Sequence, residues 1–398
     1  MKTKKILCAF LTAFLCVTAV SCGDTEETST ENSDSSVSEI ETEPDTQQAE
    51  TPEKETPDET EQETTEETQP EEETQLKTES DVVDETEPEK ETKSNTGNVS
   101  AYGTTADINE YITATTINPP LWKVTDPETQ NELYIMGTIH VLPSDFDGFP
   151  DYIRDIYENS DGIAVEYDTS KLTSDIRALM AFQEKFVYDD GTTITDHISN
   201  ETYQKAKAYF ESIGAYSELL DQYSAGYWYN QLESAMILRL ENLSTEGIDA
   251  QAIEEAQNDG KEVISIETLD IQADAISGMS DELVDFVINK MLDDMDEIDD
   301  YAEELAELYD LWAAGDVDPM LDDELDEIDE LPENLVDDYN DYMDIMLYNR
   351  NQGMAEKASE FLKDGKNYLF MVGSAHYAGD RGVDDLLAEM GYTVEKIQ

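Results

Sequence analysis

Apolar residues in this chain fall into short runs that alternate with stretches of three- and four-residue spacing. Leu121-Trp122-Lys123-Val124 and Glu132-Leu133-Tyr134-Ile135-Met136 flank a polar turn containing Asp126-Pro127, which predicts a β-hairpin. Three more apolar runs, Gly162–Tyr167, Glu262–Ile266 and Tyr368–Val372, each follow a helix-like stretch, at Phe149–Asn159, Asp249–Asn258 and Met354–Lys363. Tyr392–Ile397 closes the chain after the helix-like Val383–Met390. Strands alternating with helices predict an α/β fold. Residues 171–240 and most of 281–346 read as helical, because Leu, Ile and Met recur on one face there.

The first 100 residues break this pattern. Lys2, Lys4 and Lys5 precede an apolar run of 15 residues, Ile6 to Val20, too short for a comfortable membrane span. The run ends in Ala19-Val20-Ser21-Cys22-Gly23, which resembles a bacterial lipobox with Ala19 in place of the usual Leu. Residues 1–21 therefore read as a lipoprotein signal peptide, with Cys22 as the lipidated residue. That implies a protein on the extracellular face of a bacterial cytoplasmic membrane. All three Cys lie at or before residue 22, so disulfide and thiolate-metal scaffolds are excluded beyond it.

Residues 24–100 contain 28 acidic residues, 4 Lys and no aromatic residue. Such a segment cannot bury enough apolar area to offset its chain entropy, and its charges repel one another. Residues 22–116 are therefore expected to be a disordered acidic tether, with a folded domain over 117–398. A flexible chain of this length spans roughly 50 Å. The whole chain carries a formal net charge of −73, which excludes an ordinary nucleic-acid binder. Within 281–345 there are 27 acidic residues and one base, Lys290. Its apolar spacing predicts amphipathic helices with a solvated acidic face. It lacks the Gly and spacing of a calcium loop.

Only three His are present, and two end the same pattern. Gly137-Thr138-Ile139-His140 and Gly373-Ser374-Ala375-His376 each follow a predicted strand. Ligand sites in open α/β sheets gather at that edge. Glu166 likewise ends the run Ile163–Val165, where a buried carboxylate needs a partner. Two imidazoles and a carboxylate form a recognised divalent-metal set, suited to Mn, Co or Zn. A hydrogen-bonded pair of structural histidines is the competing reading. His197 reads as a capping-loop residue before a helix.

The ordered set from Leu121-Trp122-Lys123-Val124 through Gly137–His140, Val165–Asp168, Gly247-Ile248-Asp249, Ile266–Thr268, Gln272 and Asn349-Arg350-Asn351 to Val372–His376 resembles the TraB/GumN family, relatives of the Tiki metalloproteases. The resemblance implies a mixed sheet surrounded by helices, like the erythromycin-esterase and ChaN-like folds. It also implies an essential Glu and Arg, which fall on Glu166 and Arg350. Arg350 is the only base between 291 and 356, and a fork for a carboxylate or a reaction oxyanion fits it. Asp249 and Glu267 read as supporting groups or helix caps, with Glu267 also a candidate general base. The expected activity is metal-dependent hydrolysis of a peptide or protein substrate. Peptide sequestration without turnover is the alternative.

Overall fold

A computed structural model of the protein describes residues 99–100, 102–140, 142–321 and 331–397. The signal peptide, Cys22 and most of the acidic tether lie outside the described residues. A six-stranded sheet forms the centre. Its strands are β1 (Leu121–Thr125), β2 (Glu132–Thr138), β3 (Gly162–Val165), β4 (Glu262–Ser265), β5 (Tyr368–Gly373) and β6 (Thr393–Lys396). The spatial order is β4-β3-β5-β2-β1-β6. β2, β5, β3 and β4 run parallel, and β1 is antiparallel to β2 and β6. The predicted hairpin is present, with Leu121 opposite Met136 and Thr125 opposite Glu132. The sheet is mixed and lies among helices.

Every residue of β3 and β5 is buried. Central parallel strands are covered on both faces, so their sequences read as continuous apolar runs. β6, on an edge, carries the exposed Glu395 and Lys396 instead. Among the described residues, no helix is long and apolar enough to cross a membrane.

The folded unit begins earlier than residue 117. Ala106-Asp107 pairs in parallel with Leu240-Glu241. Asp310, on the helix Ile298–Ala314, accepts the Thr113 N–H at 3.0 Å and the Ala114 N–H at 2.8 Å. Residues 102–116 are polar and short of regular apolar spacing, so the sequence alone placed them in the tether. Their order comes from partners more than 100 residues away. The acidic stretch after residue 280 is helical as expected, at Asp281–Asp294, Ile298–Ala314 and Val336–Met343. Its buried faces carry Leu283, Val287, Leu305 and Trp312.

Near the carboxyl terminus, the helix Val383–Glu389 holds one carboxylate in an unfavourable place. Asp384 Oδ1 is buried without a partner. Burial, and then the charge of Asp385, push this carboxyl up to about 6. Its folded pKa thus exceeds its unfolded value. The penalty is absent below pH 4 and grows as pH rises through 6. Asp384→Asn should therefore raise the unfolding free energy at pH 8 by about 1–3 kcal/mol and leave it unchanged at pH 4. Urea titrations at the two pH values check this; an equal effect at both would contradict it.

Candidate functional site

Because β2, β3, β4 and β5 are parallel, the chain leaves all four at one edge of the sheet. His140 follows β2, Glu166 follows β3, Glu267 follows β4 and His376 follows β5. The exits of β3 and β4 stay in register, since the Glu267 N–H donates to the Glu166 carbonyl at 2.9 Å. Arg350 reaches the same edge from the helix Asn349–Asp364. A π-turn at Asp344–Tyr348 immediately precedes it, a widened geometry common at functional sites.

Arg350 is buried, as are Glu267 and His376. Its Nη2 donates to Glu166 Oε2 at 2.6 Å and to Glu267 Oε2 at 2.9 Å, and its Nε donates to Glu267 Oε1 at 2.9 Å. Nη1 donates to the Met346 carbonyl at 3.0 Å. Gln272 Nε2 donates to Glu267 Oε2 as well. Every guanidinium nitrogen of Arg350 therefore has a partner, and Glu267 has both oxygens engaged. Two expectations change in consequence. The carboxylate fork is present, and four of the five Arg350 N–H groups are spent on protein partners, which leaves at most one Nη1 N–H for an oxyanion. Glu267 is committed to holding Arg350 and does not stand as a free base. Both are positioning residues here. The reason is that two carboxylates ending adjacent parallel strands must share a cation when buried together.

The two histidines are each held by Nδ1. His376 Nδ1 lies 2.6 Å from Asn351 Oδ1, while Asn351 Nδ2 donates to the Arg381 carbonyl at 2.9 Å. That second bond sets the amide's orientation, so Asn351 offers oxygen to the ring and the His376 proton sits on Nδ1. His140 Nδ1 lies 3.3 Å from Asp249 Oδ1, so its proton too belongs on Nδ1. In its neutral form each ring then presents a bare Nε2. Holding a ring by one nitrogen while the other stays free is the usual support for a metal-ligating His.

Glycines bring the groups close. A Cβ added at Gly373 would lie 3.2 Å from Glu166 Oε1, 3.4 Å from His140 Nε2 and 3.7 Å from His376 Cδ2. The Gly373 N–H donates to Glu166 Oε1 at 2.7 Å. A Cβ at Gly247 would lie 2.5 Å from His140 Cα and 2.7 Å from the Ile139 carbonyl oxygen. Gly247 precedes the helix Ile248–Asp259 and lets Asp249 approach His140. Gly247→Ala should cost about 1–3 kcal/mol of stability, because backbone rather than a flexible side chain has to move. The His140 imidazole signals in an NMR spectrum should shift with it. An unperturbed variant would show that the approach has slack.

Electrostatics sort the groups by role. Burial would raise Glu166, but Arg350, the two histidines and the Gly373 N–H together outweigh it and hold the carboxyl well below the usual range. Burial raises Glu267 more than Arg350 lowers it. Burial, and then the Arg350 charge, lower His376 to about 3, so this ring is neutral. Burial lowers His140, yet Asp249 and then Glu166 together more than compensate and its pKa is raised.

A neutral His376 Nε2 faces an ionised Glu166 Oε1 at 3.5 Å. Two lone pairs confront each other there, an arrangement relieved by a cation between them. His140, Glu166 and His376 match a divalent ion in donor chemistry, and all three lie near Gly373. Among the described residues, no group of three or more His, Cys, Asp or Glu side chains is placed so as to hold a metal ion as it stands. His197 takes no part in this cluster. It bonds Thr192 and Asp281 and stacks on Tyr188 at the end of the short helix Ile194–His197.

Asn351 and Gln272 were present in the motifs but carried no role in the sequence reading. An asparagine directly after the one basic residue of its region is the sequence signal for Asn351, and its full burial appears only in the structure.

A family model described as the TraB/PrgY/gumN family matches residues 120–396. The chain belongs to this family. It is 22% identical over 325 residues to a protein of Danio rerio named Metalloprotease TIKI2, covering 70% of this chain and 61% of that one. It is 23% identical over 329 residues to the Metalloprotease TIKI homolog of Amphimedon queenslandica, covering 71% and 62%. The chain therefore spans about three-fifths of the length of these relatives. No solved structure matches it.

Proposed function

We propose that the protein is a divalent-metal-dependent hydrolase acting on peptide bonds, on a fold of the erythromycin-esterase and ChaN-like kind. The observation that carries this reading is the pair of strand-end imidazoles, each tied at Nδ1, that present bare Nε2 atoms beside an ionised Glu166. His140, Glu166 and His376 would hold the ion. When bound, a divalent ion lowers the pKa of a water and polarises a carbonyl. The chain's own residues prepare the place. Arg350 keeps Glu166 ionised and points it at the histidines. Asp249 and Asn351 keep each ring's proton away from the site. Membership of a family whose relatives include named metalloproteases supports the same chemistry.

Incubating the full-length protein with a peptide library and Mn²⁺, Co²⁺ or Zn²⁺ tests it. Cleavage should appear with at least one ion, stop with excess chelator and be absent in His376→Ala. Cleavage indifferent to chelator would refute the metal reading. One observation favours a second reading, peptide capture without turnover: both Glu166 oxygens are already engaged, by the Gly373 N–H and by Arg350. Peptide binding that persists in chelator with no cleavage under any ion would establish it.

The protein is further proposed to sit on the outer face of a bacterial membrane through lipid on Cys22. The basic start, the apolar run and the small residues before Cys22 support this. Cys22→Ala should move the protein from the membrane fraction to the soluble fraction.

A further inference from the structure

A cleft of about 600 Å³ opens beside the candidate site, between β1 and the loop that follows His376. Trp122 and Tyr377 stack at its base, with ring centroids 4.6 Å apart. Tyr377 is 2% exposed, lines the cleft, and its hydroxyl has no partner. Asp384 also lines it, and Asp384 Oδ1 is buried without a partner. A carboxylate oxygen that can only accept and a hydroxyl that can accept or donate therefore stand unpartnered on one cleft wall. A buried oxygen without a partner is costly, and a native site normally has something to satisfy it.

The charge of the wall selects the donor. Asp318, Asp380, Asp384 and Asp385 line the cleft against Arg381 and Lys396. Arg381 is already committed: it pairs with Asp344 at 3.0 Å and lies 3.6 Å from the centre of the Tyr348 ring. Lys396 is committed too, with its Nζ over the Trp122 ring at 5.4 Å from the centroid. The balance left for an occupant is negative. Aromatic faces with carboxylates beside them favour a cation with an apolar stem, since ring faces attract positive charge and cover methylene groups.

We propose that this cleft is a binding site for an organic cation, an alkylammonium or guanidinium group, held by Asp384 and the Tyr377 hydroxyl over the Trp122–Tyr377 stack. The site is independent of the hydrolase reading, because binding there requires neither metal nor turnover. It is also joined to the candidate centre. Tyr377 follows His376 in one 3₁₀ turn, and the Arg381 carbonyl accepts from Asn351, which orients His376.

Calorimetry on the full-length protein in chelator tests the proposal, with four probes: Nα-acetyl-lysine amide, Nα-acetyl-arginine amide, putrescine and the neutral Nα-acetyl-norleucine amide. At least one cation should bind with saturation, at least about tenfold tighter than the neutral analogue. Tighter binding of the amino-acid amides identifies a basic peptide side chain as the occupant, and tighter binding of putrescine a free polyamine. Asp384→Asn should weaken the cation about tenfold or more and Tyr377→Phe about fivefold. Glu211→Gln, on another helix, should change nothing. Binding should also quench Trp122, and the quenching should be lost in Trp122→Phe. Equal affinity for the neutral analogue, no saturable binding by the folded wild-type protein, or full affinity in Asp384→Asn would each overturn the proposal. The ligand series on the wild-type protein separates these outcomes even where a variant folds poorly.

Discussion

Replacing Arg350 by alanine is expected to cost about 3–5 kcal/mol of folding stability, seen as a large drop in the urea midpoint at pH 7. The side chain is buried and is the cation shared by Glu166 and Glu267. Without it, two carboxylates remain buried together with only the Gln272 amide and the Gly373 N–H as neutral donors. At pH 7 at least one of them has to take up a proton or drag in water, and either costs free energy. The deficit should shrink as pH falls toward 4, because protonation then becomes cheap. Arg350→Lys should recover only part of the loss. A single ammonium cannot reproduce the fork that binds two carboxylates and the Met346 carbonyl at once. A loss below about 1 kcal/mol in Arg350→Ala would show that the cluster is more hydrated than its burial indicates.

The second large effect concerns metal affinity. Equilibrium dialysis of the metal-free protein against Mn²⁺, Co²⁺ or Zn²⁺ should find a site that is lost in His140→Ala and in His376→Ala. Far-UV circular dichroism should be unchanged in both. Asn351→Ala keeps all three donor side chains yet should weaken the site about 10–100-fold. The reason lies in the proton. Without Asn351 Oδ1, nothing holds the His376 hydrogen on Nδ1, and the ring can turn or move its proton to Nε2. Wild-type affinity no better than that of a His140→Ala, His376→Ala double variant would sink the metal proposal. Retained affinity in Asn351→Ala would sink only the positioning argument.

The strands, and the histidines at their ends, were legible because each is a local signal. β3 and β5 show as continuous apolar runs, and Gly-x-x-His follows two strands directly. That two of three histidines close the same pattern carried most of the information about the site. What the runs could not say is which strands are neighbours. An apolar run is equally consistent with either direction and any place in the sheet. The order β4-β3-β5-β2 decides that the exits of four strands share one edge. Only then do residues 140, 166, 267 and 376 become a cluster.

The division for Arg350 and Glu267 is similar. Sequence showed a lone base amid acids and an acid after a strand. It could not show that the two are bonded to each other, because 83 residues separate them. An open role, oxyanion binding or general base, is what each residue type can do in isolation. The role each holds in the structure is the one left after every nitrogen and oxygen has found its partner. The start of the folded unit followed the same logic. Residues 102–116 lack an apolar rhythm, and their order comes from Asp310 and from pairing with Leu240-Glu241.

The sequence by itself determined the α/β class, the acidic character, the family pattern and the identity of the residues able to do chemistry. Those are properties of composition and of spacing within about ten residues, where backbone geometry converts order directly into direction. The tertiary structure alone decided which of those residues meet, which nitrogen of each histidine is bare, and that a cleft with two unpartnered oxygens adjoins them. These depend on contacts across 25 to more than 200 residues, and on burial, which turns a modest charge pair in water into a strong constraint when water is removed.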